Sequence, residues 1–170
     1  MRYFAAAVIV LCVVLLCLIA DPPRSISQRA ESGETEDVRR DDPAMRQAID
    51  KARSSLEQFL AKVKNPAADT EGYAVKIGIP AGQDTEYFWV NEFAITGDKF
   101  SGKINNEPQH TTLVTFGQRY SFDREQIVDW TYMDVKAHKM YGNFTACALL
   151  TREPPAAAEE FKQRYGLECS

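Results

Sequence analysis

Residues 4–20 form one uninterrupted apolar run with no charged side chain inside it. Residues 21–42 are polar, mix both signs of charge with Pro, Ser and Gly, and contain no aromatic residue. From Asp42 the pattern becomes periodic. Asp42-Pro43 reads as an N-cap followed by proline at the first helical position. Met45, Ile49, Ala52, Leu56, Phe59, Leu60 and Val63 then recur at three- and four-residue spacing, one apolar stripe. Asn65-Pro66 stops that helix. The stripe needs a surface to cover, and the following segments supply one.

From Tyr73 the period changes to two. Tyr73, Val75, Ile77 and Ile79 alternate with smaller or polar residues, which predicts a strand that Pro80-Ala81-Gly82 turns. A second strand is predicted at 86–96, with Tyr87, Trp89, Phe93 and Ile95 on one face. Phe88, Val90 and Ala94 make its other face partly apolar, so it is expected to be covered on both sides. Thr96-Gly97-Asp98 is a tight turn into a third strand through Phe100, Gly102 and Ile104. Asn105-Asn106-Glu107-Pro108 reads as a loop. One or two strands are expected at 113–122, and further strands at 127–135 and 140–150. Asp123 with Gln126 forms a capping-box pair at a short turn. Pro154-Pro155 opens a last helix, and Gly166 is its natural terminator. The short connections favour antiparallel neighbours. The expected fold is α+β: an N-terminal helix on a bent antiparallel sheet or small open barrel of five to six strands, then a short C-terminal helix.

The flanking regions set the compartment. Helical residues at 1.5 Å each would give the run at 4–20 a length of roughly 25 Å, slightly short of a ~30 Å hydrocarbon core. It reads as a secretory signal or a membrane anchor. Ala20 suits a cleavage site, Leu18 suits it poorly, and both readings stand. Cys12 and Cys17 each follow leucine, which excludes a lipoprotein signal. Residues 21–42 cannot bury enough apolar surface to offset the cost of ordering them, and read as a tether. The domains are thus signal or anchor at 1–20, linker at 21–42 and one α+β domain at 43–170. The net charge of −4 argues against nucleic acid as a partner, because phosphates need a basic face. Cys147 and Cys169 are the two cysteines of the exported part, and an oxidising compartment invites their pairing. The pair would tie the C-terminal tail to the last strand and contribute roughly 3 kcal/mol; a buried strand thiol and a free tail thiol is the alternative.

The candidate chemistry is sparse. Trp89, Asp129, Trp130 and Tyr132 could form an aromatic groove beside a carboxylate. Equally, the tryptophans could be core and Asp129 an acceptor of backbone hydrogen bonds. Asn106 could present polar groups to a partner, although such runs are more often turn chemistry. His110 and His138 have no Cys or His at ligand spacing, so no zinc site is expected. Asp129 and Asp134 are acidic candidates for acid–base work in a weak sense alone. No nucleophile elbow or glycine-rich phosphate loop occurs, and no cofactor is expected.

Ala48, Ala52 and Arg53, the Phe88-Trp89-Val90 triplet, Gly102, Asn106-Glu107-Pro108, Gly117, Ile127-Val128-Asp129-Trp130 with Tyr132, and Gly142-Asn143-Phe144-Thr145 form an ordered set. Each is weak alone. Together, from Met45 onward, they resemble the YegJ-like bacterial domain family, whose function is uncharacterised. Thr131 stands where the resemblance implies methionine, and Cys147 where it implies a basic residue. The resemblance supplies no catalytic residues. The leading reading is a tethered binding or interaction module of the cell envelope, with Trp89, Asn106, Asp129, Trp130, Tyr132 and Asn143 as its candidate contacts. Its partner would be an envelope protein or small ligand, and residues 4–20 would meet the membrane if retained. An envelope hydrolase using Asp129, or an accessory protein without a discrete site, are the alternatives.

Overall fold

A computed structural model describes residues 42–97 and 99–169. The signal or anchor expected at 1–20 and the tether expected before Asp42 lie outside the described residues. Helix α1 spans Pro43–Lys64. The Asp42 side chain accepts from the Met45 amide at 3.0 Å, which satisfies one of the unpaired donors of the first turn. The buried stripe is Met45, Ala48, Ala52, Leu56, Phe59 and Leu60.

Strands β1 (Thr70–Ala81), β2 (Asp84–Thr96), β3 (Lys99–Ile104), β4 (Arg119–Asp123), β5 (Ile127–Asp134) and β6 (Lys139–Gly142) form one open antiparallel sheet. Its order is β4-β3-β2-β1-β5-β6. Helices α2 (Phe144–Leu150) and α3 (Pro155–Tyr165) follow. The fold is therefore α+β, with three helices among the described residues. None of these helices is long and apolar enough to cross a membrane. One core cluster joins the second half of α1 to the sheet through Leu56, Phe59, Val75, Ile77, Phe88 and Trp130. A second joins the start of α1 to α2 and α3 through Met45, Ala48, Leu149 and Phe161. Arg53 ties helix to sheet, donating to the carbonyls of Ile127 at 3.1 Å and Glu125 at 2.9 Å.

Three sequence expectations are corrected. The apolar run at 140–150 is a short strand and then a helix. Asn143 takes φ 54° and ends the strand, and the amides of Phe144 and Thr145 find an acceptor in Asp129 rather than in a sheet partner. A short apolar run has no periodicity that separates the two forms. The strand expected within 113–122 is confined to β4, and residues 105–118 form a long loop. The phase of β2 also differs from the expected one. Glu86, Phe88 and Val90 face the core, and Trp89 does not. The β2–β3 register shifts between Asn91 and Ala94, with Glu92 at φ 45°. The extra residue moves the inward positions from 86, 88 and 90 to Phe93 and Ile95. Tyr87 and Trp89 are thereby separated from the two residues whose alternation they share.

Candidate functional site

Asp129 lies in β5, opposite Lys76 of β1, and is fully buried. Its Oδ1 accepts from the amides of Trp130 at 2.8 Å and Phe144 at 3.2 Å. Its Oδ2 accepts from the Thr145 amide and the Thr145 hydroxyl, both at 2.7 Å. Lys76 Nζ donates to the same hydroxyl at 3.1 Å. Burial pushes the Asp129 carboxyl up from the ordinary aspartate range, and the Thr145 hydroxyl, the Lys76 charge and the backbone amides oppose that shift. The carboxylate thus fastens the first turn of α2 to the sheet. The cavity beside it, lined by Lys76, Tyr87, Thr145 and apolar side chains, holds about 20 Å³, room for one water and no substrate.

Trp130 and Tyr132 point the other way, into the core under α1. The Trp130 indole donates to the Ala52 carbonyl at 3.0 Å and meets Ser55 Oγ at 3.2 Å. Its ring stacks on Phe59 at 4.9 Å between centroids, and Tyr132 stacks between Tyr73 at 5.2 Å and Tyr141 at 4.9 Å. Burial, with Tyr141, Tyr73 and Asp134 nearby, pushes the Tyr132 phenol up. Asn143 turns the chain from β6 into α2 in left-handed geometry. Asn106 extends β2 past the end of β3: its side chain accepts from the Trp89 amide at 2.8 Å and donates to the Tyr87 carbonyl at 3.4 Å. Trp89 is half-buried on the face of β2 opposite Phe88 and Val90, with Lys76 Nζ 5.3 Å from its ring centroid. The six candidate residues therefore do not converge on one groove. Asp129 and Asn143 serve the start of α2, Trp130 and Tyr132 serve the core, and Trp89 with Asn106 serves the β2–β3 end.

The more distinctive arrangement is one that the sequence reading passed over. Glu86 is the third residue of β2, on its inward face, and is buried. Its carboxylate accepts from three consecutive amides of the 105–118 loop: Gln109 at 2.6 Å, His110 at 3.1 Å and Thr111 at 2.8 Å. The Thr111 hydroxyl donates to the Pro80 carbonyl at 2.9 Å, and Val114 is buried in the main core. Gly117, at φ 75°, returns the chain with its amide on the Ile104 carbonyl at 2.8 Å. Between these anchors Leu113 and Phe116 stand 59% and 56% exposed. The legible signal was a glutamate at an inward position of an alternating strand, which needs partners when buried. The partners, being backbone amides, leave no trace in residue types.

Between α1 and α2 lies an open groove of about 460 Å³, with Ala44, Ala48, Phe144, Lys51, Glu168 and Cys169 among its lining residues. Cys147, on α2, also lines it and is disulfide-bonded to Cys169, with Cα atoms 5.5 Å apart. The bond ties the tail to a helix and not to a strand. Among the described residues no three His, Cys, Asp or Glu side chains are grouped to hold a metal ion.

Residues 42–169 match a family described as "Uncharacterized protein conserved in bacteria (DUF2314)". The chain is 34% identical over 124 residues to "Uncharacterized protein YegJ" of Escherichia coli (strain K12), which covers 73% of this chain and 78% of that protein. No solved structure matches the chain.

Proposed function

The chain belongs to the DUF2314 family of uncharacterised bacterial proteins, and from that premise we propose that it works as a tethered binding module of the cell envelope whose contact element is the loop at 105–118. The observation that carries this reading is the Glu86 grip. A buried carboxylate, a buried valine and a buried threonine together hold a long loop without regular structure, and the loop presents Leu113 and Phe116 to solvent. Loops of more than about a dozen residues without regular structure are uncommon in compact domains and are usually functional. Large apolar side chains on an ordered surface loop favour contact with a partner over contact with water. The envelope location is supported by the Cys147–Cys169 bond, which suits an oxidising compartment, and by the apolar run at 4–20. The hydrolase alternative gains nothing from Asp129, whose two oxygens are committed to four donors.

A photo-crosslinking side chain placed singly at Leu113, Phe116 or Val135 in living cells tests this. Val135 is 52% exposed and serves as the control. The expected result is one adduct species from positions 113 and 116 and none from 135. The same adduct pattern at all three positions would reject the loop as the contact element.

A further inference from the structure

We infer that the Cys147–Cys169 bond is a thiol–disulfide exchange site whose substrate is a dithiol reaching it through the groove between α1 and α2. The two cysteines both line that groove, Cys169 is exposed and Cys147 half-buried. The opening of about 460 Å³ admits an attacking thiol, where a bond sealed in a core admits none. Lys51 and Glu168 line the same groove, with Lys51 Nζ 5.4 Å from the Phe144 ring centroid.

The tail does not depend on the bond for its position. The Met140 amide donates to the Gly166 carbonyl at 2.8 Å, and the Leu167 amide donates to the Lys162 carbonyl at 2.9 Å. Leu167 is buried in the second core cluster, and Lys139 meets Glu168 at 2.5 Å. Breaking the bond therefore leaves Cys147 and Cys169 side by side as thiols, and closing it again takes a second disulfide compound as the two-electron oxidant. In the first step a substrate thiolate attacks the exposed Cys169 Sγ and forms a mixed disulfide, and Cys147 leaves as thiolate with the bonding electron pair. In the second step the other substrate thiol, deprotonated, displaces Cys169. The substrate departs oxidised to its disulfide, and its two protons end on Cys147 and Cys169. This site shares no residue with the 105–118 loop and does not rest on that loop's role.

The test uses the full-length chain in detergent with Cys12→Ser and Cys17→Ser, so that one cysteine pair remains. Reduction is followed with dithiothreitol and, separately, with a Cys-X-X-Cys peptide, with and without urea below the unfolding transition. The expected rate rises with each dithiol and is insensitive to urea, and a monothiol traps a mixed disulfide on Cys169. A peptide that reacts more than about ten-fold faster than dithiothreitol identifies a peptide-borne substrate, and equal rates identify small dithiols. For both reagents, a rate that climbs steeply with urea, whether or not it depends on dithiol, would mean that the bond reacts in unfolded chains alone. That result overturns the inference.

Discussion

Asp129 accepts from three backbone amides and one hydroxyl and is fully buried. Asp129→Asn replaces one acceptor oxygen with an NH2 group that faces donors. A buried donor left without a partner costs about 1–3 kcal/mol, so urea denaturation at neutral pH is expected to show a loss of that size. The pH dependence has a sign of its own. Because burial raises this carboxyl above 3.8 in the folded chain, the folded state keeps a proton that the unfolded state has released. Its contribution is fully present below the unfolded value and is lost as pH rises through the folded value. The parent's advantage over Asp129→Asn is therefore largest in acid and shrinks toward neutrality. An advantage that grows with pH would show that the four donors outweigh burial. The sequence offered both roles for Asp129, acceptor and acid. The choice between them depended on the amides of Phe144 and Thr145, which any residue types would supply.

At the scale of elements, β1 was legible from its alternation, and α1 and α3 from their ends: Asp42-Pro43 at one start, Pro154-Pro155 at another, and Gly166 at φ 63° after the last turn. The elements misread were those settled by contacts distant in sequence. The start of α2 depends on Asp129, and the phase of β2 depends on a bulge against β3. The 105–118 loop depends on Glu86, and it carries the next prediction. Glu86→Gln leaves one oxygen for three amides. In hydrogen exchange, Gln109, His110 and Thr111 are expected to lose protection by about 10- to 100-fold, the equivalent of roughly 1–3 kcal/mol, while core amides of β1 keep theirs. Equal loss in both would show that Glu86 supports the whole sheet and not the loop.

The whole molecule is an open sheet with one face buried under α1 and under the buried part of the loop. The other face carries Trp89 and Lys76. On that second face Asp129 and Lys76 hold the first turn of α2 through Thr145. Trp130 and Tyr132 belong to the main core, and Leu113 and Phe116 of the 105–118 loop stay exposed. Glu86 holds three amides of this loop, and under the proposed function that order serves a partner. The most direct measurement is the yield of the Phe116 photo-adduct in cells, compared between the parent chain and Glu86→Gln at equal abundance of folded protein. A fall of about ten-fold, which corresponds to 1.4 kcal/mol of lost loop order, is the predicted result. An unchanged yield with the loop amides shown to be unprotected would mean that loop order does not govern the contact.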